Sequence, residues 1–156
     1  MKKLIGIVNL ISVIAIVYWN YYVSTGAING NKMGQLSDEI NSLFTPAGYA
    51  FSIWGIIYLG LFINALWYLI QAFKNKHQET LAQQGIWLTV ANIASGFWLW
   101  FWLNEQFLIS VDFILIILAA LMIVVVRLKM EKWDAPKEII GFVWWPICLY
   151  SGWISV

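Results

Sequence analysis

Charge is scarce in this chain. Only 11% of its 156 residues are Asp, Glu, Lys or Arg, against about 25% in soluble domains. There is one cysteine, Cys148, and one histidine, His77. An intramolecular disulfide is therefore excluded, and a Cys/His metal centre cannot be assembled from one of each. A net charge of +1 leaves no electrostatic case for nucleic acid, and none is expected as a partner. No Gly-x-Ser-x-Gly elbow, phosphate loop or carboxylate pair occurs, so no catalytic and no metal-binding residue is expected. Asp112 is the only carboxylate well inside an apolar stretch. A proton or ion relay needs a partnered charge, so the sequence disfavours pumping, and Asp112 reads as a structural hydrogen-bond acceptor.

What is abundant is apolar surface, 62% of residues, and tryptophan, of which there are eleven. Aromatic belts at the two membrane interfaces explain part of that excess. Apolar stretches at about 4–23, 47–72, 84–103, 107–127 and 138–156 reach or approach the ~20 residues of a spanning helix. The expected fold is all-α and integral to the lipid bilayer: a single domain, 1–156, forming a bundle of five transmembrane helices. The first stretch follows Lys2 and Lys3 but is too long for a signal core and has no small-x-small cleavage site, so it reads as a retained helix. Asn9, Ser12 and Ile16 share one face of it and are expected to turn inward.

Basic residues set the orientation. Lys2, Lys3, Lys74, Lys76, Arg127, Lys129, Lys132 and Lys137 fall on one side of a five-helix bundle, and Lys32 alone on the other. Eight against one predicts a cytoplasmic N-terminus and an outward-facing 24–45 connection. That connection is the longest. It reads as a lid or as an extramembrane linker, with Ser37 capping a short helix that carries Asp38 and Glu39 in its first turn. His77 reads as a solvated loop residue.

The most informative stretch is 44–58. Thr45 suits an N-cap and Pro46 the first helical position. Ala47, Phe51, Trp54 and Tyr58 then recur on one helix face. At about 1.5 Å per residue, Trp54 lies roughly 12 Å below the helix start, too deep for an interfacial anchor. It is either packing between helices or the wall of a ligand pocket. Tyr150, climbing from the opposite side, reaches the same level of a core about 30 Å thick. Asn92 lies near mid-membrane, below Phe97, Trp98, Trp100 and Trp102. An aromatic-rich concavity with few polar handles suits a flat apolar ligand. Trp54, Tyr150, Trp153 and third-helix aromatics would stack on it, with Asn92 or Asp112 fixing a polar edge. Asn92 also reads as a plain helix–helix hydrogen bond. Trp67 and Trp87, nearer the cytoplasmic ends, read as interfacial anchors.

These residues resemble the TspO/MBR family, the tryptophan-rich sensory proteins related to the mitochondrial translocator protein. Phe44-Thr45-Pro46-Ala47 is similar to that family's Trp-x-Pro-Pro opening of the second helix, and Phe51, Trp54 and Tyr58 to its continuation. Asn92, Val111-Asp112, and Pro146 with Tyr150 also resemble family positions. Phe44 and Ala47 depart from the motif, and Tyr150 stands where the family usually has Trp. The chain ends at Val156 within an apolar run, as expected of a truncated or divergent member, and the cholesterol-recognition segment of animal relatives has no counterpart. The resemblance implies a membrane receptor or carrier for a tetrapyrrole (porphyrin or haem) or for a sterol- or isoprenoid-like lipid, with no required cofactor and with a homodimeric assembly. The expected ligand-binding set is Pro46, Ala47, Phe51, Trp54, Tyr58, Asn92, Trp98, Pro146, Tyr150 and Trp153. Two other readings remain: a light-dependent porphyrin-degrading enzyme, and a structural or signalling subunit without a ligand.

Overall fold

A computed structural model describes residues 1–39, 48–130 and 134–156. The order is α1 (Lys2–Ser24), α2 (Met33–Glu39), a 3-10 turn (Gly48–Ser52), α3 (Ile53–Lys74), α4 (Gln78–Gln84), α5 (Trp87–Leu103), α6 (Phe107–Arg127), α7 (Lys137–Ile139), a π-helical turn (Ile140–Trp144) and α8 (Trp145–Ser155). Four helical stretches among the described residues are long and apolar enough to cross a membrane: Lys2–Ser24, Tyr49–Lys74, Gln78–Leu103 and Phe107–Arg127. In each, half or less of the most apolar stretch is buried within the protein. Side chains such as Leu4, Ile11, Leu59, Leu108 and Leu115 point outward. Apolar faces this extensive require a bilayer as their solvent.

Of the five expected spans, four meet the length and apolarity of a crossing among the described residues. The fifth stretch is helical but broken. Pro146 has no N–H to give to the carbonyl four residues back, and its ring crowds that carbonyl. The carbonyl is that of Phe142, inside the π-helical turn. It is rescued from outside, because Asn64 Nδ2 donates to Phe142 O at 2.8 Å. Gln84 Nε2 in turn donates to Asn64 Oδ1 at 2.8 Å. A wide turn with one carbonyl satisfied by a neighbouring helix is how a proline is accommodated at membrane depth.

Two further boundaries differ from expectation. The helix expected at 84–103 is divided, since Gly85 adopts φ 56°, ψ −139°, a conformation open essentially to glycine. The Gly85 carbonyl is taken by Asn9 Nδ2 at 3.2 Å, and Thr89 Oγ1 donates to Asn9 Oδ1 at 2.6 Å. Asn9 and Ile16 are buried and Ser12 half-buried, so the inward stripe on α1 is present. The α3 helix begins at Ile53, after the 3-10 turn, and not at 47; such tight turns are common at helix starts. The expected Thr45 cap and Pro46 start lie outside the described residues. The short helix of the long connection runs Met33–Glu39, so Ser37 sits inside it, buried, and does not cap it.

Glycine decides where the helices approach. A Cβ on Gly60 would lie 3.3 Å from Pro146 Cβ, and one on Gly6 3.1 Å from Tyr68 Cδ1. These contacts bring α3 against α8 and α1 against α3. Gly60→Val should overpack the first and lower stability by about 1–3 kcal/mol, read as a lower midpoint of thermal unfolding in detergent. Gly55→Val, at a site with open space around its Cβ, should be close to neutral; equal effects would show that Gly60 is not a packing requirement.

The bundle has two chemically distinct ends. At one, Lys3 lies over the Phe73 ring at 5.1 Å, Arg127 donates to Ala82 O at 2.9 Å, and His77 Nε2 meets Glu138 Oε1 at 2.9 Å. At the other, Asn29 Nδ2 donates to Asn104 Oδ1 at 3.1 Å and Asn31 Nδ2 to Leu103 O at 3.0 Å. The described part of the long connection, 24–39, is thereby tied to the α5–α6 turn.

Candidate functional site

The indole of Trp54, one residue into α3, is the centre of an aromatic cluster. It stacks with Tyr58 (centroids 5.4 Å apart, planes at 28°) and with Trp98 of α5 (5.7 Å, 29°). Tyr150 of α8 meets it edge-on at 5.8 Å and 71°. Offset stacks and edge contacts at these separations are the favourable arrangements of aromatic quadrupoles. The cluster is closed: Trp54 is 3% exposed and Tyr150 1%. Trp54 and Tyr150, expected at one level from opposite helix directions, are in contact.

Closure leaves hydrogen bonding incomplete. The Nε1 atoms of Trp54 and Trp98 have no partner among the described residues. The Tyr150 hydroxyl lies 3.5 Å from Ala91 O, a long contact. A buried donor left unmade costs roughly 1–3 kcal/mol; Trp67 and Trp102 also carry unpartnered Nε1 atoms, and what is particular to this cluster is that two such donors lie on stacked rings.

Toward the end that carries α2, Phe51 in the 3-10 turn meets Trp153 edge-on at 5.9 Å. Phe51 also walls a cavity of about 260 Å³ beneath α2, with Met33 and Leu99 as apolar partners and Asn20, Ser24 and Lys32 as polar ones. Lys32 could have been found from the sequence, as the lone basic residue on the side expected to face outward. Asn20 and Ser24, at the end of an apolar helix, carry no such signal.

Of the expected set, Phe51, Trp54, Tyr58, Trp98, Tyr150 and Trp153 gather at this end. Pro46 and Ala47 lie outside the described residues. Pro146 is buried against Gly60 and shapes the helix. Asn92 turns to α1, where its Nδ2 donates to Ser12 Oγ at 3.0 Å. Asp112 is exposed near the start of α6. Trp67 is not an interfacial anchor but is buried, its ring 5.4 Å from that of His77. His77, held between Trp67 and Glu138 with 23% of its side chain exposed, is not the solvated loop residue expected. No group of three or more His, Cys, Asp or Glu able to hold a metal occurs among the described residues.

An all-helical bundle with lipid-facing apolar surface, an aromatic core at one end and a short helix folded over it defines an integral membrane protein. A family model described as TSPO-like protein matches residues 6–156. The chain belongs to that family. No curated protein and no solved structure matches it in the corresponding comparisons.

Proposed function

We propose that the protein is a membrane receptor or carrier for a flat, chiefly apolar ligand, most simply a tetrapyrrole, taken up at the outer end of the bundle. The observation that carries this reading is the Trp54–Tyr58–Trp98–Tyr150 cluster with its two unpartnered indole donors. Aromatic faces match a conjugated ring, N–H groups match its heteroatoms or carboxylates, and the Lys32 ammonium matches an acidic edge. At about 260 Å³ the cavity is below the roughly 300–1,000 Å³ of ligand sites. Entry therefore requires α2 to lift or the cluster to part, a lid-like role for 24–45. In the same reading the 137–155 segment is a fifth crossing despite its π-helical turn. The basic end is cytoplasmic, and two copies associate through apolar faces.

Tight packing of the cluster favours one rival, in which the aromatics only hold helices together. Titration of the detergent-purified protein with protoporphyrin, followed by tryptophan quenching, separates the two. Saturable quenching is expected, with Lys32→Gln weakening it about 1.5- to fivefold at low ionic strength, the range of a partly exposed charge pair. Quenching that rises without saturation would leave the packing role. Product analysis after illumination distinguishes a binder, which returns the porphyrin intact, from a photodegrading enzyme.

A further inference from the structure

The basic end of the bundle holds the one ion-pair contact among the described residues, His77 Nε2 to Glu138 Oε1 at 2.9 Å. It joins the turn between α3 and α4 to α7. The same imidazole lies against the Trp67 indole, ring centroids 5.4 Å apart and planes at 40°. With 23% of the His77 side chain and 47% of the Glu138 side chain exposed, both exchange protons with water.

The turn is held under strain. Asn75 (φ 53°, ψ 32°) and His77 (φ 50°, ψ 36°) are both left-handed, a conformation that residues other than glycine keep only where their surroundings impose it. On α3 beneath them, Trp67 Nε1 and Gln71 Oε1 have no partner among the described residues, and buried groups left unmade are costly. On the other side α7 is three residues long, with Ile139 alone buried, and runs straight into the π-helical turn. His77 is the polar tie between these two short elements.

The strength of that tie depends on one proton. The other charged groups on the elements that meet here are Lys74 at the end of α3, Lys76 and Glu79 beside His77, Arg127 of α6, Asp134 before α7, and Lys137 within it. Arg127 is bonded to Ala82 O, and none of these forms an ion pair among the described residues. Of these side-chain types, only histidine ordinarily changes charge between about pH 5 and 8. A charged imidazole gives Glu138 a charge-assisted hydrogen bond, about twice as strong as a neutral one, and is drawn to the Trp67 ring as a cation. Both gains are present below the titration of the imidazole and are lost as pH rises through it.

We propose that His77, Glu138 and Trp67 form a pH-operated latch, closed when the imidazole is charged, which holds the broken last helix against the α3–α4 turn. Opening it frees α7 and the π-helical turn. The α8 helix that follows carries Tyr150 against Trp54, so the state of the latch reaches the aromatic cluster. The latch stands on its own contacts and does not rest on the tetrapyrrole reading.

The test is the distance between spin labels at Gln83→Cys on α4 and Gly141→Cys in the π-helical turn, measured by double electron–electron resonance on the full chain in nanodiscs, with Cys148→Ser as background. Gly141 is exposed and has open space around its Cβ, so the label there displaces nothing. Labels are read at about pH 5.5 and about pH 8.5, on either side of the histidine range. One narrow distribution is expected in acid. In base a second, longer-distance population should be about three- to tenfold larger, the combined range of a partly exposed charge pair and a cation–ring contact. His77→Arg keeps a charged, planar group at every pH and should hold the acid distribution throughout. Glu138→Gln should show the longer population at both pH values. A distribution that ignores pH when His77 and Glu138 are intact would overturn the proposal. So would one that follows pH equally well in His77→Arg, because another group would then be the switch.

Discussion

Trp54→Ala is expected to cost about 3–5 kcal/mol of stability, the range for emptying a large aromatic from a closed core, and to weaken porphyrin binding at least tenfold. Both effects come from one ring, which touches Tyr58, Trp98 and Tyr150 within 5.8 Å. Lipid cannot restore the dispersion attraction that the indole makes on three sides, since helix association in a bilayer depends on such packing. Trp54→Phe separates the two consequences. It keeps a stacking face but removes Nε1, one of the unpartnered donors, so stability should fall little while affinity falls by the worth of one hydrogen bond. Trp67→Phe is the control at the opposite end, where Trp67 packs on His77; it should change stability about as little as Trp54→Phe and leave porphyrin affinity unchanged. If Trp67→Phe weakens binding and Trp54→Phe does not, the ligand site is at the basic end and the proposed function is misplaced.

Asn64→Leu is the second large effect. It removes the donor to Phe142 O and the acceptor of Gln84 Nε2 together. Each buried group left unmade costs roughly 1–3 kcal/mol, so a loss on the order of 2–5 kcal/mol follows, far above the ~0.6 kcal/mol of an average interhelical hydrogen bond. The mechanism predicts its own rescue. Pro146→Ala in the same background restores an N–H four residues after Phe142, so the carbonyl can close an ordinary helical turn and part of the stability should return. Thermal unfolding of the single and double variants in detergent measures both steps. A double variant no more stable than Asn64→Leu alone would mean that the π-helical turn is held by something other than the missing proline donor.

Composition and hydropathy are sums over neighbouring residues, and what depends on such sums was legible in the chain. The α6 bounds, Phe107–Arg127, match the expected 107–127. The α1 helix runs one or two residues beyond each expected end, and the gathering of basic residues at one end follows from their spacing. Depth is also a local quantity, since rise per residue is constant; that is why Trp54 and Tyr150 were placed at one level. Which way a side chain faces around its helix is different. It depends on how helices rotate to bring Gly60 onto Pro146 and Gly6 onto Tyr68, contacts between residues far apart in sequence. Asn92, expected near mid-membrane just below the aromatics, therefore turns to Ser12 instead of to them. Trp67 and His77, each unremarkable in its own segment, pack ring against ring, with Glu138 of α7 paired to the imidazole. Pro146 belongs to both accounts: its missing N–H is written in the chain, but the carbonyl it frees is satisfied by Asn64, a residue 78 positions from Phe142, which only the packing of α3 against the broken last helix brings within reach.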